Sequence, residues 1–473
     1  MCDIDRVTID ILPGDVLLEI FNHYVAEADK ENGSEEWQTL VHVCQKWRYV
    51  VFRSPVRLNL RILCLGRISV REKLALWPPL PIIIAQYGSS SSKRCEDNII
   101  AALGHNDRVS KIEFIVPGSL LERVWEAMQK SFVALKDVDL TAYEDRAPVV
   151  SDSFLGGSAP DLRYLRLFRI PIPLPVLRKL LLSSPNLVTL SLLGIPHSAY
   201  FSPEALMVAC LTTLTGLKQL SIGFESPLSR PPREGRHRTP TRSVLPALTD
   251  LTFNGVSEYF EDLVTRIDAP LLNQLRITFF HQLIFDTPQL IQFISRTPTL
   301  KAYDEYDEAY VTFLDSHATF ALSGRNNQVL MLGISCRRSD WQLSSLAQVC
   351  TSSLPQALIP VPEHLYILDL PPLWQDDLEN TQWLEVFHPF TTVKNLYLSR
   401  EFVPRIVPTL QELVGERATE VLPNLQSIFL EEDVGEPVFV PDSMRQFIAA
   451  RQLSSRPIAI SYWSNRTRQD LNQ

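Results

Sequence analysis

The chain has 473 residues, 45% hydrophobic and 21% charged, and its 45 Lys and Arg against 54 Asp and Glu leave a net charge of -9. At about 100–200 residues per domain, that length suits two to four domains or one elongated array. The apolar share excludes a disordered chain, and the acidic balance argues against a broad basic face that wraps nucleic acid.

Thirty-four prolines against 17 glycines favour many short elements over a few long ones. The seven cysteines, at 2, 44, 64, 95, 210, 336 and 350, include no CxxC pair. Such a sparse, odd count suits a reducing compartment and offers no zinc-ligand spacing. The opening MCDIDRVTIDILPGD is acidic where a signal peptide is basic and then apolar. No window reads as a membrane span. The expectation is a cytoplasmic or nuclear protein with no membrane partner, in which the sequons at Asn32 and Asn465 are chance matches.

In chain order, the first informative stretch is ILPGDVLLEIFNHYV. Pro13 suits a first helical turn, and Val16, Leu17, Ile20, Phe21 and Tyr24 follow at spacings of three and four, giving one apolar face. A polar insert, AEADKENGSEE, follows, with Asn32-Gly33 as its turn. A second helix is then expected through EEWQTLVHVCQKWRYVVFR. Trp37, Leu40, Val41, Cys44, Trp47 and Val51 form its stripe, and Ser54-Pro55 ends it. Two short helices bury too little surface to stand alone, so this unit requires a covering surface.

These residues resemble the F-box. The opening is Leu12-Pro13, the first helix carries Val16-Leu17 and Ile20-Phe21, and the close is Val43-Cys44-Gln45-Lys46-Trp47-Arg48. The match covers residues 9–58. The long acidic insert and the ending Arg57-Leu58-Asn59-Leu60 look like the F-box proteins of mushroom-forming fungi. The resemblance implies docking onto a Skp-type adaptor and, through it, a cullin–RING ubiquitin ligase. It places Leu12, Pro13, Val16, Leu17, Ile20, Phe21, Leu40, Val43, Cys44 and Trp47 at the adaptor contact. The same residues also read as the core of a small helical domain.

Residues 59–104 fit neither this pattern nor the next and read as a connecting region, with a buried strand at Trp77-Pro-Pro-Leu-Pro-Ile-Ile-Ile and a loop at Gly88 to Ser92. From 105 onward an apolar-x-x-apolar-x-apolar pattern recurs. It starts at Val109, Leu135, Leu162, Leu187, Leu217, Leu248 and Leu272, with steps of 26, 27, 25, 30, 31 and 24 residues. Further copies start at Val329, Leu365, Val393 and Leu425. Proline stands two residues before the first apolar position at 160, 185, 246, 270 and 423, and again before Leu300. Helical stretches precede several of these prolines. The pattern resembles the leucine-rich repeat, whose stacked strand–helix units bury a continuous core. The match runs over roughly 105–435, with a gap near 300–325, and the solenoid is expected to span 105–465. The polar residue often found eight positions after the first leucine is replaced here by Ile170, Ile195, Glu225, Val256 and Phe280, so irregular repeats are expected. A generic α/β domain remains the alternative.

The expected fold is therefore α/β: a small N-terminal helical unit, then an irregular leucine-rich solenoid, a horseshoe with a parallel concave sheet. Strand alternation puts Arg163, Tyr164, Arg166, Val188, Thr189, Ser191, Lys218, Gln219 and Ser221 on its outward face, as candidate contacts for a target protein. Nucleotide-loop, zinc-protease and serine-hydrolase signatures are absent, and the nine histidines are scattered. No catalytic residue, metal or cofactor is expected. Two surface motifs are left over: the arginine-rich RPPREGRHRTPTR of 230–242, with a possible phosphorylation site at Thr239, and the acidic–aromatic YDEYDEAY of 303–310, which suits a basic partner. The working expectation is a substrate-recruiting subunit of a ubiquitin ligase. The rival is a repeat scaffold acting outside ubiquitination, its N-terminal helices serving as a cap.

Overall fold

The computed structural model describes residues 12–32, 37–65, 69–87, 93–143, 147–209, 211–228, 242–282, 285–301, 306–324, 329–336, 339–352, 362–368, 380–413, 417, 420–432, 442–453 and 455–463. The Arg-rich motif to residue 241, the turn at Gly33 and the loop at Gly88–Ser92 lie outside them. The chain divides into two compact units, Met1–Leu187 and Val188–Gln473. No described helix is long and apolar enough to cross a membrane.

The first unit opens with α1 (Gly14–Asn32), α2 (Trp37–Val43) and α3 (Gln45–Arg53). The Pro13 carbonyl accepts the Leu17 N–H at 3.0 Å, which starts α1. The helix continues through the first half of the expected polar insert, because Ala, Glu and Lys are strong helix formers. The second expected helix is two. Cys44 is extended (φ -156°, ψ 171°), and its sulfur caps α3 by accepting the Trp47 N–H at 3.4 Å. Arg48 donates to the Val41 carbonyl at 3.0 Å and so closes the end of α2.

The sheet of this unit follows as β1 (Ile62–Leu65), α4 (Val70–Leu76), β2 (Ile82–Tyr87), α5 (Lys93–Leu103), β3 (Val109–Val116), α6 (Gly118–Ala127), β4 (Asp137–Ala142), β5 (Tyr164–Phe168) and α7 (Leu174–Leu182). The strands pair in parallel in chain order. Residues 59–104 are therefore not a mere connection. They supply two strand–helix units in which Ile62, Cys64, Ile82 and Ile84 are buried, and Ile84 aligns with Ile112 of the next strand. The apolar runs there are continuous in sequence, but burial alternates, with Leu63 and Ile83 only half-buried between them. The Gly156-Gly157 turn has φ values of +61° and +71°. A Cβ at Gly156 would lie 2.6 Å from the Ser131 nitrogen, so only glycine fits.

The second unit contains β6 (Thr189–Ile195), α8 (Pro203–Ala209), β7 (Gln219–Phe224), β8 (Ser243–Val244), β9 (Asp250–Gly255), α9 (Ser257–Arg266), β10 (Ile267–Asp268), β11 (Gln274–Phe280) and α10 (Pro288–Arg296). Then come β12 (Tyr306–Leu314), β13 (His317–Gly324), β14 (Val329–Ser335), α11 (Ser339–Ser352), β15 (His364–Leu368), α12 (Asn380–Phe387), β16 (Asn395–Leu398), α13 (Val403–Gln411), β17 (Ser427–Glu431), α14 (Asp442–Leu453) and β18 (Ala459–Trp463). Its main sheet runs β6-β7-β9-β11-β14-β13-β12-β15-β16-β17-β18, and β8 pairs with β10 beside it. Among the described strands, the parallel pairing is interrupted only where β13 runs antiparallel to both neighbours. The poorly formed repeat expected near 300–325 is this β12–β13 pair, joined at the two-residue turn Asp315-Ser316.

Register explains the leucine pattern. Leu220, Leu251, Leu275 and Leu330 align across four strands, as do Ile222, Phe253, Ile277 and Leu332, all of them buried. The copy expected at Val329 is thus offset by two residues along one buried face: its core pair is Leu330 and Leu332. That at Leu365 is likewise shifted, with Leu365 and Ile367 aligning on Leu396 and Leu398. Five of the six recurrent prolines share one structural role. Leu162, Leu187, Leu248, Leu272 and Leu425 each donate their N–H three residues back, to Ala159, Ser184, Leu245, Ala269 and Leu422, at 3.1–3.3 Å. Proline occupies the second position of each turn, where its fixed φ is preset and no N–H is needed.

Adjacent helices are tied together by polar caps. The buried Glu261 carboxylate of α9 accepts the N–H groups of Gln289 and Leu290, at 2.9 and 2.8 Å, and so caps α10. Glu261→Ala leaves these donors buried without an acceptor, which costs about 1–3 kcal/mol. A lowered denaturant midpoint in equilibrium unfolding is the expected result.

Candidate docking surfaces

The N-terminal helices divide their apolar residues between two faces. Leu17, Phe21, Leu40 and Val51 are buried, and Phe21 packs on the half-buried Trp47 with ring centroids 4.7 Å apart. Trp37 donates to the Arg61 carbonyl at 2.9 Å and meets Trp77 edge-on at 5.0 Å, which fixes the helices to the start of their own unit's sheet. The other side stays uncovered: Val16, Ile20, Tyr24 and Val43 are 40%, 43%, 41% and 58% exposed. Pro13, Val16, Ile20 and Tyr24 recur along α1 at three- and four-residue intervals, one stripe of the helix. Lys46 donates to the Leu12 carbonyl at 2.9 Å, and Tyr24 and Thr39 hydroxyls meet at 3.2 Å. These two contacts bracket the segment carrying Val43 and Cys44. Of the ten residues the F-box resemblance places at a contact, Leu17, Phe21 and Leu40 are core. Pro13, Val16, Ile20 and Val43 are exposed, and Leu12, Cys44 and Trp47 lie between.

The outward sheet residues also separate. In the first unit, Tyr164 and Arg166 are half-buried on β5, with Arg163 exposed just before it. Arg166 meets the Asp139 carboxylate of β4 at 3.3 Å. Beyond lies Glu113 of β3, held below its ordinary carboxyl range: burial acts upward, but hydrogen bonds from Lys111 and Tyr87 outweigh it. Burial, with the bond to Glu113 adding, pushes the Tyr87 phenol up to about 12. This face is a charged, internally paired ladder. In the second unit, Thr189 donates to Gln219 at 3.1 Å, Lys218 and Gln219 are exposed, and Val188 and Ser221 are half-buried. Ser191 is buried, contrary to its expected outward exposure: its short side chain, aligned with Ser221, sinks below its neighbours on the same face.

Sequence reasoning missed the most ordered outward group. Tyr310, Tyr366, Tyr397 and Phe429 are register partners on β12, β15, β16 and β17. Their rings stack at 4.8, 4.2 and 4.4 Å with tilts of 21°, 15° and 10°, matching the spacing of adjacent strands. Trp463 crosses Tyr397 edge-on at 5.7 Å. The Glu308 carboxylate accepts hydrogen bonds from the hydroxyls of Tyr310 and, at 3.4 Å, Tyr366. Burial pushes the Tyr397 phenol up, opposed by its hydrogen bond with Tyr366 and helped by Glu308. The signal was present as one offset repeated in His364-Leu-Tyr366, Asn395-Leu-Tyr397 and Ser427-Ile-Phe429. Reading the leucines alone passes over it.

A cleft of about 620 Å³ lies between the end of β11, α11 and α12. Its wall includes His281, stacked on Trp341 at 4.7 Å, with Glu385 and His388 opposite. Among the described residues, no three His, Cys, Asp or Glu side chains converge as metal ligands.

The buried Leu-x-Leu strands, entered by tight turns and mostly parallel, form a mixed α/β array. No protein-family model matches the sequence. No curated protein matches it either. Among solved structures, the leucine-rich repeat-containing protein LegL7 of Legionella pneumophila is similar at 11% identity and a TM-score of 0.28, covering 84% of this chain and 98% of that one.

The split between core and stripe is testable by thermal unfolding. Leu17→Ala opens a cavity and costs about 2–5 kcal/mol, whereas Ile20→Asp, on the surface, stays within about 0.5 kcal/mol of the parent.

Proposed function

We propose that this protein is a non-catalytic substrate-recognition subunit of a Skp–cullin–F-box ubiquitin ligase. The N-terminal helices dock on a Skp-type adaptor, and the repeats hold a target protein. The observation that carries this reading is the apolar stripe of Val16, Ile20 and Tyr24, joined by Val43, on helices whose other face is already filled by Leu17, Phe21 and Leu40. A helical cap that only shielded the end of a sheet would present polar residues outward. Here a contiguous apolar face is left for another subunit, in keeping with the match of Leu12-Pro13 and Val43-Cys44 to Trp47-Arg48.

The mechanism is positional. One end of the chain holds the adaptor, while the outward residues of the strands hold the target. The captured protein then meets the ubiquitin-loaded enzyme at high effective concentration, so the rate gain requires no acid, base or nucleophile from this chain. Of the outward residues expected from the sequence, Arg163, Tyr164, Lys218 and Ser221 remain accessible for this role, and Thr189 and Gln219 are paired with each other. Arg166 is already engaged by Asp139.

Purified chain and Skp-type adaptor are expected to form a stable complex by size exclusion. Val16→Asp with Ile20→Asp places two charges in the contact and weakens it at least a hundredfold, about 2.7 kcal/mol, with the melting curve retained. A complex unaffected by the double change, or never formed, favours the scaffold outside ubiquitination.

A further inference from the structure

We propose that β18 is a self-pairing edge, through which a second copy of this chain joins its sheet to the first in an antiparallel, twofold-symmetric dimer. This inference goes beyond the adaptor-docking reading and does not rest on it. Among the described strands of the second unit, β18 closes the main sheet and has one neighbour, β17. Two bonds fix which way its backbone groups point. Ala459 donates to the Gln426 carbonyl at 2.9 Å, and the Trp463 carbonyl accepts from the Glu432 N–H at 2.9 Å. Backbone groups alternate sides along a strand, so Ala459, Ser461 and Trp463 face β17. The N–H and C=O of Ile460 and Tyr462 therefore point away from the sheet. Such edges are ordinarily guarded by charge, proline or a bulge. Ala459-Ile-Ser-Tyr-Trp463 has no charged residue, no proline and no glycine, and it pairs with β17 without a register shift. Its core side is also incompletely covered. Ile460 and Tyr462 align with Ile428 and Leu430, which are wholly buried, yet Tyr462 is 49% exposed and Ile460 is half-buried.

The strand is complementary to its own reverse. Turned about Ser461, Ile460 stands opposite Tyr462 of the second copy, and Tyr462 opposite Ile460 of the second copy. These pairs join the backbone groups that β17 does not use, each pair exchanging both of its N–H···O=C bonds. On the core side they set an aromatic ring against a β-branched side chain, a favourable cross-strand combination, and so cover Tyr462. On the outward side Ser461 meets itself and Ala459 meets Trp463, so that a small residue faces the large one. The Trp463 ring does not obstruct the edge. It lies back over its own sheet, edge-on to Tyr397 at 5.7 Å, with Nε1 donating to the Leu398 carbonyl at 3.4 Å. Two copies of an uncharged strand bring no like charges together. The contact is isologous and closes after two copies. Backbone bonds alone admit any extended segment. The order of side chains about Ser461 selects this chain's own.

The test uses the full chain. A strand of 5 residues gives a contact at the small end of specific interfaces, below about 1,200 Å². Sedimentation equilibrium is therefore expected to show a reversible dimer with a micromolar dissociation constant. Tyr462→Pro removes an N–H that faces away from β17, a change an edge strand tolerates. Tyr462→Lys places a charge against Ile460 of the second copy. Each is expected to weaken association at least about tenfold, with the melting curve of the dilute chain and its adaptor binding unchanged, which separates this test from that of the docking reading. Cysteines test the register. At a non-hydrogen-bonded antiparallel pair the Cα atoms lie about 4.5 Å apart, within reach of a disulfide. Ser461→Cys is thus expected to give, on mild oxidation, a cross-linked dimer that the parent chain lacks. Ala459→Cys, whose two copies stand about 14 Å apart, is expected to give none. A chain that stays monomeric at millimolar concentration, a dimer unaffected by both Tyr462 changes, or equal cross-linking at 459 and 461 overturns the proposal. The first result is also the one given by an edge that residues 464–473 or a foreign segment occupies instead.

Discussion

The constraint on which the structure depends is register between parallel strands. Once Leu220, Leu251 and Leu275 align inside, the residues between them have no choice but to align outside. Burial contributes the energy, at about 1.5–3 kcal/mol for each enclosed aliphatic side chain. Register converts that energy into ranks of like-placed outward groups. The charged ladder from Tyr87 to Arg166 and the ring stack from Tyr310 to Phe429 both follow from it, one in each unit. These outward groups are a surface property that the core arranges without taking part in it.

The N-terminal helices obey a different rule. Three short helices enclose only a few side chains, so each residue kept inside is one fewer for a partner. Trp37, with its bond to Arg61 and its edge-on contact with Trp77, attaches this small core to a larger one. That attachment relieves Val16, Ile20 and Val43 of any packing duty. An exposed apolar stripe on a marginal bundle would ordinarily collapse inward. On an anchored one it persists as an exposed apolar stripe.

Much of this was legible in the residues. The Leu-x-x-Leu-x-Leu strands from 109 to 277 and the prolines before them locate the repeats, because turn chemistry and burial point the same way there. Cys44 was not legible as a break, since the apolar spacing of Leu40, Val41, Cys44 and Trp47 runs on through it and only the backbone reveals two helices. Residues 59–104 lack the leucine spacing, so their strands, rich in isoleucine, went unread as repeats. The copy at Val329 was offset by two residues along one buried face, because Leu330, Leu332 and Ile334 are all apolar, whereas at Leu365 adjacent apolar residues offered two alternations; register with the neighbouring strand decides both. Exposure at Ser191 depended on the height of its neighbours, which alternation does not encode.

The reversed strand β13 has a consequence for how the chain assembles. β11 finds its next neighbour not in β12 but in β14, which emerges from synthesis two strands later. Agreement between chain order and strand order is therefore interrupted after Phe280. β12, β13 and β14 form an antiparallel meander of short-range contacts, the kind of pairing that closes fastest. The second unit thus joins two runs of strands in chain order through a three-strand meander of local contacts, whose β14 edge meets β11 and whose β12 edge meets β15.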